Sequence, residues 1–233
     1  MNLQDFIDID RQWLLAWNGS NLVWLDNLAL VLTNALTWIP LYLMLLYLII
    51  KNNEKAAQIF LVISLAALCL LLSGGLSDLL VKPLVKRPRP FADVAIASCV
   101  DLVRNYRPTG YSFYSAHAAN ITSLALFVTL LVRSRKLGFC MAIWALITCW
   151  TRIYLGVHFP FDVVVGMLWG LIAGTAVYIL YLWLYNKISP KLHYISTQYT
   201  RTGYSLTDID TVICIYVLTY IYAAVRAVII GIN

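Results

Sequence analysis

The segment Thr151-Arg-Ile-Tyr-Leu-Gly-Val-His-Phe-Pro-Phe-Asp162 places an arginine, a histidine and a carboxylate between two strongly apolar runs. Ionisable side chains are costly at membrane depth and persist there mainly where they face a polar cavity or one another. His158 and Asp162 are four residues apart, so on a helix that starts near Pro160 the carboxylate can reach back to the imidazole. At this point His158 is a candidate metal ligand, base or nucleophile.

The composition is that of a membrane protein. The 233 residues are 61% hydrophobic and only 12% charged, and the mean hydropathy is positive. We therefore predict an all-α, polytopic helix bundle whose surroundings are the lipid bilayer. The formal charge is +6, and the lysines and arginines responsible for it are interspersed with the apolar spans. This pattern favours contacts with anionic lipid headgroups and indicates no nucleic-acid partner.

Apolar runs divide the chain into about six predicted transmembrane helices. They lie at about 27–50, 56–81, 115–132, 137–155, 161–185 and 211–230. The Trp-rich stretch within residues 1–26 is interrupted by Asn18-Gly-Ser-Asn21, which predicts a helix lying along the membrane interface. Residues 1–233 are interpreted as a single domain, with a catalytic core at about 56–185 and an extra C-terminal span.

Basic residues mark the ends of alternate spans on one side of the membrane. They are Lys51, Lys55, Arg133, Arg135, Lys136, Lys187, Lys191 and Arg201. By the positive-inside tendency this side is cytoplasmic, so the loop at 82–113 and the turn at 156–160 are predicted to share the outer face of the cytoplasmic membrane. The outer loop is also very basic, and anion binding would explain this exception.

Two further observations limit the chemistry. The N-terminal segment is acidic and shows no cleavable signal peptide, so insertion is expected to use the first span. The five cysteines are odd in number, show no metal-ligand spacing and lie mostly in apolar runs, which is typical of small core residues. We predict no metal and no cofactor.

Two more stretches are expected at the outer face, and they carry a resemblance to a known family. They are Lys82-Pro-Leu-Val-Lys-Arg-Pro-Arg-Pro90 and Tyr111-Ser-Phe-Tyr-Ser-Ala-His117. With the opening segment they resemble the type 2 phosphatidic acid phosphatase (PAP2) superfamily, whose signature is K-x6-RP, then PSGH, then SR-x5-H-x3-D. The residues that fit the first and third elements are Lys82, Arg89, Pro90, Arg152, His158 and Asp162, with Thr151 in place of the serine.

The middle element departs from the family pattern. Tyr114-Ser-Ala-His117 keeps the serine and the histidine but replaces the proline and the glycine. Ala116 still offers a backbone N–H group to a phosphate oxygen, and Ser115 adds a hydroxyl donor at the start of a helix, where an anion is favoured. The departure therefore concerns the geometry of the turn more than its chemistry.

These residue types suit phosphoryl transfer. Its transition state spreads negative charge over the phosphoryl oxygens, which Lys82, Arg89 and Arg152 can bind. A neutral His158 oriented by Asp162 would attack phosphorus, and a protonated His117 would donate to the leaving oxygen. Water would then hydrolyse the phosphohistidine, with His117 acting as base. This scheme agrees with what the resemblance implies, and it needs no divalent metal.

The predicted function is hydrolysis of a lipid phosphate at the outer leaflet. Candidate substrates are undecaprenyl diphosphate, phosphatidylglycerol phosphate, phosphatidate and the phosphate of lipid A, and the short chain favours a polyprenyl diphosphate. A lipid phosphotransferase using the same intermediate stays open, as does a non-catalytic binder or transporter of anionic lipids. The oligomeric state is not determined by the sequence.

The remaining ionisable residues receive structural interpretations. Asp78 stands four residues before Lys82, which predicts a helical ion pair. His193 lies in a polar link, which predicts a solvated side chain. The other loop cations, Lys86, Arg87, Arg104 and Arg107, are expected to contact headgroups or the loop itself, with substrate recognition as the alternative.

Overall fold

The computed structural model describes residues 3–188 and 197–232, and Lys191 and His193 lie outside this part of the chain. The fold is all-helical, as predicted. The main helices are α1 (Leu3–Trp17), α2 (Val23–Thr33), α3 (Ile39–Lys51), α4 (Ala56–Leu70), α5 (Lys82–Val85), α6 (Ala116–Val132), α7 (Arg135–Tyr154), α8 (Pro160–Ile188) and α9 (Leu206–Ile232). Within the described ranges, β-structure is limited to one isolated bridge between Tyr199 and Ser205.

Four helical stretches of the described chain are long and apolar enough to cross a membrane. They are Ala56–Ala92, Arg135–Tyr154, Pro160–Ile188 and Leu206–Gly231. Helices α2 and α3 make a fifth span when they are taken together, and α6 is a shorter apolar helix of 17 residues. The positions agree with the predicted crossings, although α9 begins five residues before the apolar run at 211.

The predicted first crossing at about 27–50 is not one continuous helix. The chain bends by 70° between Val23–Thr33 and Ala35–Lys51. Asn34 has extended backbone angles, and its side chain accepts from the Leu36 N–H to start a 3₁₀ turn over Ala35–Trp38. Pro40 then stands in the first turn of α3, where its missing N–H is tolerated. A polar cap inside an apolar run therefore breaks the helix.

Helix α4 continues to α5 through two π-helical turns, Leu71–Gly75 and Ser77–Val81. A π-helical turn pairs residues that are five apart, so some backbone groups of this stretch lose their usual partner within the helix. Neighbouring elements form hydrogen bonds with some of these groups. Tyr114 donates its hydroxyl to the Ser73 carbonyl at 2.9 Å, and the Gly74 N–H donates to the Asn120 side chain at 2.7 Å. This helix is thereby tied to the start of α6.

The end of the same helix exposes an apolar ridge. Four of its side chains are between 48% and 78% exposed, and they are Leu79, Leu80, Leu84 and Val85. Lys82 stands among them, but its own side chain is only 11% exposed. The ridge is an apolar surface directly beside a largely covered cation.

Helices α6 and α8 pack closely because glycines face the α6 backbone. A Cβ atom at Gly166 would lie 2.6 Å from the Ser115 carbonyl oxygen, and one at Gly170 would lie 2.6 Å from the Ala119 carbonyl oxygen. Atoms cannot approach so closely, so these positions require glycine at the observed helix separation. The close contact sets the start of α6 beside the start of α8.

Loops gather at the two ends of the bundle. At one end Asn52 donates to Asp208 at 3.1 Å, Thr202 donates to the Val132 carbonyl at 2.8 Å, and Lys136 pairs with Asp210 at 3.2 Å. The basic termini of alternate helices therefore share one end, as the positive-inside analysis predicted. The loop after α5, the start of α6 and the α7–α8 turn lie at the opposite end.

Candidate active site

Backbone hydrogen bonds join the three predicted motif stretches. The Ser115 N–H donates to the Asp162 carbonyl at 3.0 Å, and the Ser112 N–H donates to the Arg87 carbonyl at 2.9 Å. The Arg89 guanidinium donates to the Val157 carbonyl at 2.9 Å. The loop after α5, the start of α6 and the α7–α8 turn thus form one unit.

His158 is 2% exposed, and its two ring nitrogens have different neighbours. Nε2 lies 3.3 Å from Nη1 of Arg89, and Nδ1 lies 3.4 Å from the Ser112 hydroxyl and 3.8 Å from Asp162 Oδ2. A guanidinium has only donors, so a contact with Arg89 requires an unprotonated Nε2. The ring proton then belongs on Nδ1, and the lone pair of Nε2 faces the arginine that was predicted to bind phosphate.

The surroundings keep the His158 imidazole neutral. Burial lowers the pKa of His158 to about 3, and the nearby charges of Arg152 and Arg89 act in the same direction. Asp162 opposes them. A neutral ring with an unprotonated Nε2 is the form that a nucleophile requires.

Asp162 is buried, and both of its carboxylate oxygens accept hydrogen bonds from other residues. Its contact with His158 is longer than the sequence spacing suggests. Oδ2 accepts from the Ser112 hydroxyl at 2.5 Å and from the Phe159 N–H at 3.2 Å, and Oδ1 accepts from Arg87 at 2.6 Å. The 3.8 Å separation from His158 Nδ1 exceeds hydrogen-bond length. The four-residue spacing therefore brings the groups together, while Ser112 lies within reach of both.

Arg89 is held by the loop that surrounds it. It is 5% exposed, and besides Val157 it donates to the Gly110 carbonyl at 3.0 Å and to the Thr109 carbonyl at 2.9 Å. The guanidinium is therefore positioned before any substrate binds.

Arg152 and Lys82 complete the cationic set. Arg152 is 1% exposed and donates from Nη1 to the Thr33 hydroxyl at 2.5 Å. Its Nε has no hydrogen-bond partner among the described residues, although it is buried. A buried unpaired donor is costly, and an anion oxygen is a suitable acceptor for it. Lys82 pairs with Asp78 at 2.6 Å, as the helical spacing predicted.

The first turn of α6 presents the third predicted motif. Ser115 is the N-cap, and its hydroxyl oxygen accepts from the Ala118 N–H at 3.4 Å. Ala116 opens the helix, so its N–H belongs to the unpaired amides of a helix start. The side chain of His117 is exposed, and the charges of Arg152 and Lys82 act on it electrostatically. The positive charge of Arg152 acts on His158 as well.

The altered turn has a structural explanation. Tyr114, at the position of the family's proline, is buried, and its hydroxyl bonds to Ser73. Its own carbonyl accepts from the Ser77 hydroxyl at 2.9 Å. These two bonds hold the turn against the π-helical part of the α4–α5 helix, so contacts of the tyrosine fix the entry to α6.

Three contributors to this site were not predicted from the sequence. Ser112 bonds to Asp162, and Arg87 pairs with both Asp162 and Asp10 at 2.6 Å. Arg87 was expected to contact headgroups or the loop, and that interpretation is wrong because its guanidinium is enclosed between two carboxylates. The repeated Arg-Pro pair at 87–90 could have indicated a role for Arg87 beside that of Arg89. Nothing in the sequence around Asp10 indicated a role for that residue.

The described residues contain no group of three or more His, Cys, Asp or Glu side chains arranged to hold a metal ion. The expectation of a metal-independent reaction stays a prediction.

Comparison with known proteins places the chain in a family. The model of the PAP2 superfamily matches residues 60–189. A lipid A 4'-phosphatase of Bacteroides thetaiotaomicron is 34% identical over 186 residues, which are 79% of each chain. A lipid A 4'-phosphatase of Porphyromonas gingivalis is 30% identical over 79% of this chain and 78% of its own. An undecaprenyl-diphosphatase of Sulfolobus acidocaldarius is 36% identical over 57% of this chain and 58% of its own.

A solved structure supports the same fold. The transmembrane PAP2-type phosphatidylglycerolphosphate phosphatase of Bacillus subtilis superimposes with a TM-score of 0.56 at 17% identity, covering 82% of this chain and 89% of its own. At this identity the similarity concerns the fold. The family match and the two relatives with broad coverage show that the chain belongs to the PAP2 superfamily.

Proposed function

We propose that this PAP2-type membrane lipid phosphatase removes a phosphate monoester from a lipid A-type glycolipid. The observation that carries the reaction is the buried, neutral His158, whose Nε2 faces Arg89. The substrate class rests on the relatives. Two lipid A 4'-phosphatases match over about four-fifths of the chain, whereas the undecaprenyl-diphosphatase of Sulfolobus acidocaldarius matches over 57%. Undecaprenyl diphosphate, the substrate favoured by chain length alone, becomes the second candidate.

In the proposed reaction the phosphate oxygens are bound by Arg89, Arg152, Lys82 and the first turn of α6. The lone pair of His158 Nε2 attacks phosphorus as the bond from phosphorus to the lipid oxygen breaks. His117 donates a proton to that oxygen, so the dephosphorylated lipid leaves as an alcohol. His117 then removes a proton from water, which attacks the phosphohistidine and releases inorganic phosphate. Asp162 stabilises the positive charge that the His158 ring acquires.

The site is proposed to face the outside of the cytoplasmic membrane. The opposite end of the bundle carries Arg133, Arg135 and Lys136 together with the loop before α9. Such clusters favour the cytoplasmic side. The headgroup of a lipid in the outer leaflet would then be level with Arg89 and His158.

The test is phosphate release by the purified full-length protein in detergent, with excess chelator. Bis-phosphorylated lipid A and undecaprenyl diphosphate are supplied separately to the wild type and to His158→Ala. The matched control is Arg107→Ala, which changes an exposed cation of the same loop. We expect phosphate from lipid A with the wild type and the control, and only background release with His158→Ala.

Different outcomes separate the alternatives. Full activity of His158→Ala would refute the proposed nucleophile. Release from undecaprenyl diphosphate alone would replace the proposed substrate by the second candidate. Phosphate transfer to an added acceptor lipid, without release in its absence, would indicate a phosphotransferase. Activity that the chelator abolishes would contradict the metal-independent mechanism.

A further inference from the structure

A carboxylate of the N-terminal helix reaches the neighbourhood of the catalytic pair. Asp10 in α1 is 1% exposed, which is unusual for an aspartate. Along the chain it lies about 150 residues before Asp162. Its Oδ2 accepts from Nη2 of Arg87 at 2.6 Å, and its Oδ1 accepts from the Phe161 N–H at 2.9 Å. Both oxygens face donors, which is the arrangement of an ionised carboxylate. A charge so deeply buried requires a partner, and Arg87 is that partner.

Arg87 joins the two carboxylates. Its Nη2 binds Asp10 and its Nη1 binds Asp162 Oδ1, each at 2.6 Å, while its guanidinium carbon lies 4.0 Å from the centre of the Phe159 ring. The planar fork is thereby fixed on both edges and on one face. The remaining oxygen of Asp162, Oδ2, is the one that faces Ser112 and His158. The contacts run in sequence from Asp10 to the nucleophile.

The charge balance of this group matters for the reaction. Two carboxylates and one guanidinium carry a net charge of about −1 at neutral pH. Among the described residues, Arg87 is the only ionic partner of Asp162 apart from His158, so Arg87 alone would neutralise the charge of Asp162. Asp10 binds the other terminal nitrogen of Arg87, and its negative charge restores a negative field at Asp162. Since the His158 ring becomes positive when it is phosphorylated, this field favours the phosphorylation step.

Helix α1 is anchored where Asp10 must be. Arg11 forms two hydrogen bonds of 3.0 Å to Asp93 in the loop after α5, and the Trp13 ring stacks on Phe161 with centroids 6.4 Å apart. Leu14 is fully buried. The helical turn that follows Asp10 is therefore held against elements that also carry Arg87 and Asp162.

We propose that Asp10 is a positioning residue for phosphorylation of His158, acting through Arg87 and Asp162, so that α1 forms part of the active site. The inference rests on the proposed phosphatase function. It adds a role for a helix that lies outside the stretch matched by the family model, which begins at residue 60.

The test compares Asp10→Asn with Asp8→Asn in the full-length protein, using bis-phosphorylated lipid A as substrate. Asp8 lies on the same helix, is half exposed and pairs only with residues of α1 among the described contacts. We expect Asp10→Asn to lower kcat about 10-fold with little change in KM, as loss of a residue that orients a reactive group commonly does. Asp8→Asn should match the wild type. The rate of phosphoenzyme formation in a single turnover should fall in parallel with kcat.

A double-variant comparison keeps the test informative if Asp10→Asn is unstable. Arg87→Gln leaves two buried carboxylates without their shared cation, whereas Asp10→Asn combined with Arg87→Gln returns the net charge of the group to about −1. We expect the double variant to lose less activity than the product of the two single losses. Independent, multiplicative losses would overturn the proposal, as would wild-type kcat in Asp10→Asn or a change confined to KM. Absence of phosphate release by the wild type itself would instead refute the proposed function.

Discussion

At the scale of single residues, the site depends on a histidine kept neutral inside a cationic cluster. Positive neighbours and burial both oppose protonation of His158, whose pKa falls to about 3. The contact of Nε2 with Arg89 agrees with this state, because only an unprotonated nitrogen can accept from a guanidinium. The cations proposed to bind phosphate therefore also keep His158 in the neutral form that the proposed nucleophile requires.

The lowered pKa of His158 predicts a dependence of stability on pH. The unfolded imidazole titrates near 6.5 and the folded one near 3, so between these values the unfolded chain binds more protons. The contribution of His158 to the free energy of unfolding is therefore fully present above pH 6.5, and it is lost as the pH falls from 6.5 towards 3. We expect the thermal midpoint of the wild type in detergent to decrease between about pH 7 and about pH 5. His158→Asn should show a smaller decrease, and equal decreases in both proteins would contradict the prediction.

Arg89 is expected to be intolerant of lysine. Its fork contacts three carbonyl groups as well as His158 Nε2, and a lysine cannot reproduce that planar set of donors. We expect Arg89→Lys to lower kcat about 100-fold, the scale seen when one transition-state donor is removed. Arg107→Lys is the control, because Arg107 is exposed. Phosphate release measures both variants, and similar activity of the two would show that charge alone suffices.

The structure brings together most of the side chains that the sequence pattern singled out, and the reason lies in the cost of charge. Arg152, His158 and Asp162 stand between apolar runs, where ionisable residues need a function or a partner. Asp10 and Ser112 gave no comparable indication, because their roles come from contacts across distant parts of the chain. Such contacts depend on packing and not on spacing along one helix.

At the scale of helices, the separation of α6 and α8 controls how the two halves of the site meet. Gly166 and Gly170 let α8 approach the α6 backbone, and the Ser115 N–H bonds to the Asp162 carbonyl where the two helices begin. One helix carries His117 and the other carries Asp162. A change in their spacing would therefore act on the geometry of the proposed catalytic groups.

Gly170→Ala should separate these helices. The added Cβ would lie 2.6 Å from the Ala119 carbonyl oxygen, so backbone must move. We expect a loss of about 1–3 kcal/mol in the free energy of unfolding, the usual effect of overpacking, together with reduced phosphate release. Gly75→Ala is the matched control, since its nearest neighbour is the flexible Leu71 side chain at 3.1 Å. Unchanged stability of Gly170→Ala in denaturant titrations would show that the helices can separate freely.

Most helices were predictable from the length and hydropathy of their apolar runs, whereas two local features were not. The bend at Asn34 arises from a single side-chain cap within an apolar stretch. The π-helical turns at 71–81 are stabilised by partners such as Tyr114 and Asn120, which come from elsewhere in the chain. Hydrophobic pattern determines where a helix can exist, but tertiary hydrogen bonds decide its local geometry.

At the scale of the whole molecule, the two ends of the bundle differ in chemistry. At one end the basic termini near Lys51 and Lys136 contact the start of α9 and the loop before it, and the other end contains the site. The cysteines differ in their exposure. Cys99 is exposed in the loop after α5, and Cys69 and Cys149 are buried.

Cys99 is therefore a natural reporter of orientation. A membrane-impermeant maleimide applied to intact spheroplasts should label the wild type and should not label Cys99→Ser, if the site faces outward. Cys214 is exposed on α9 within an apolar span, where a water-soluble reagent is not expected to reach. Mass spectrometry identifies the labelled residue. Labelling of Cys99 only after the membrane is disrupted would place the active site on the cytoplasmic side.

The apolar ridge of Leu79, Leu80, Leu84 and Val85 has a kinetic consequence. It surrounds Lys82 at the edge of the site, so a lipid can present its phosphate to the cations while its chains stay among other lipids. The enzyme then meets its substrate by diffusion within the plane of the membrane or micelle surface, and not through the bulk solution. The rate should follow the mole fraction of substrate in a mixed micelle, and dilution with neutral detergent at constant bulk substrate should slow it. The two products would leave by different routes, the lipid sideways into the bilayer and phosphate into water.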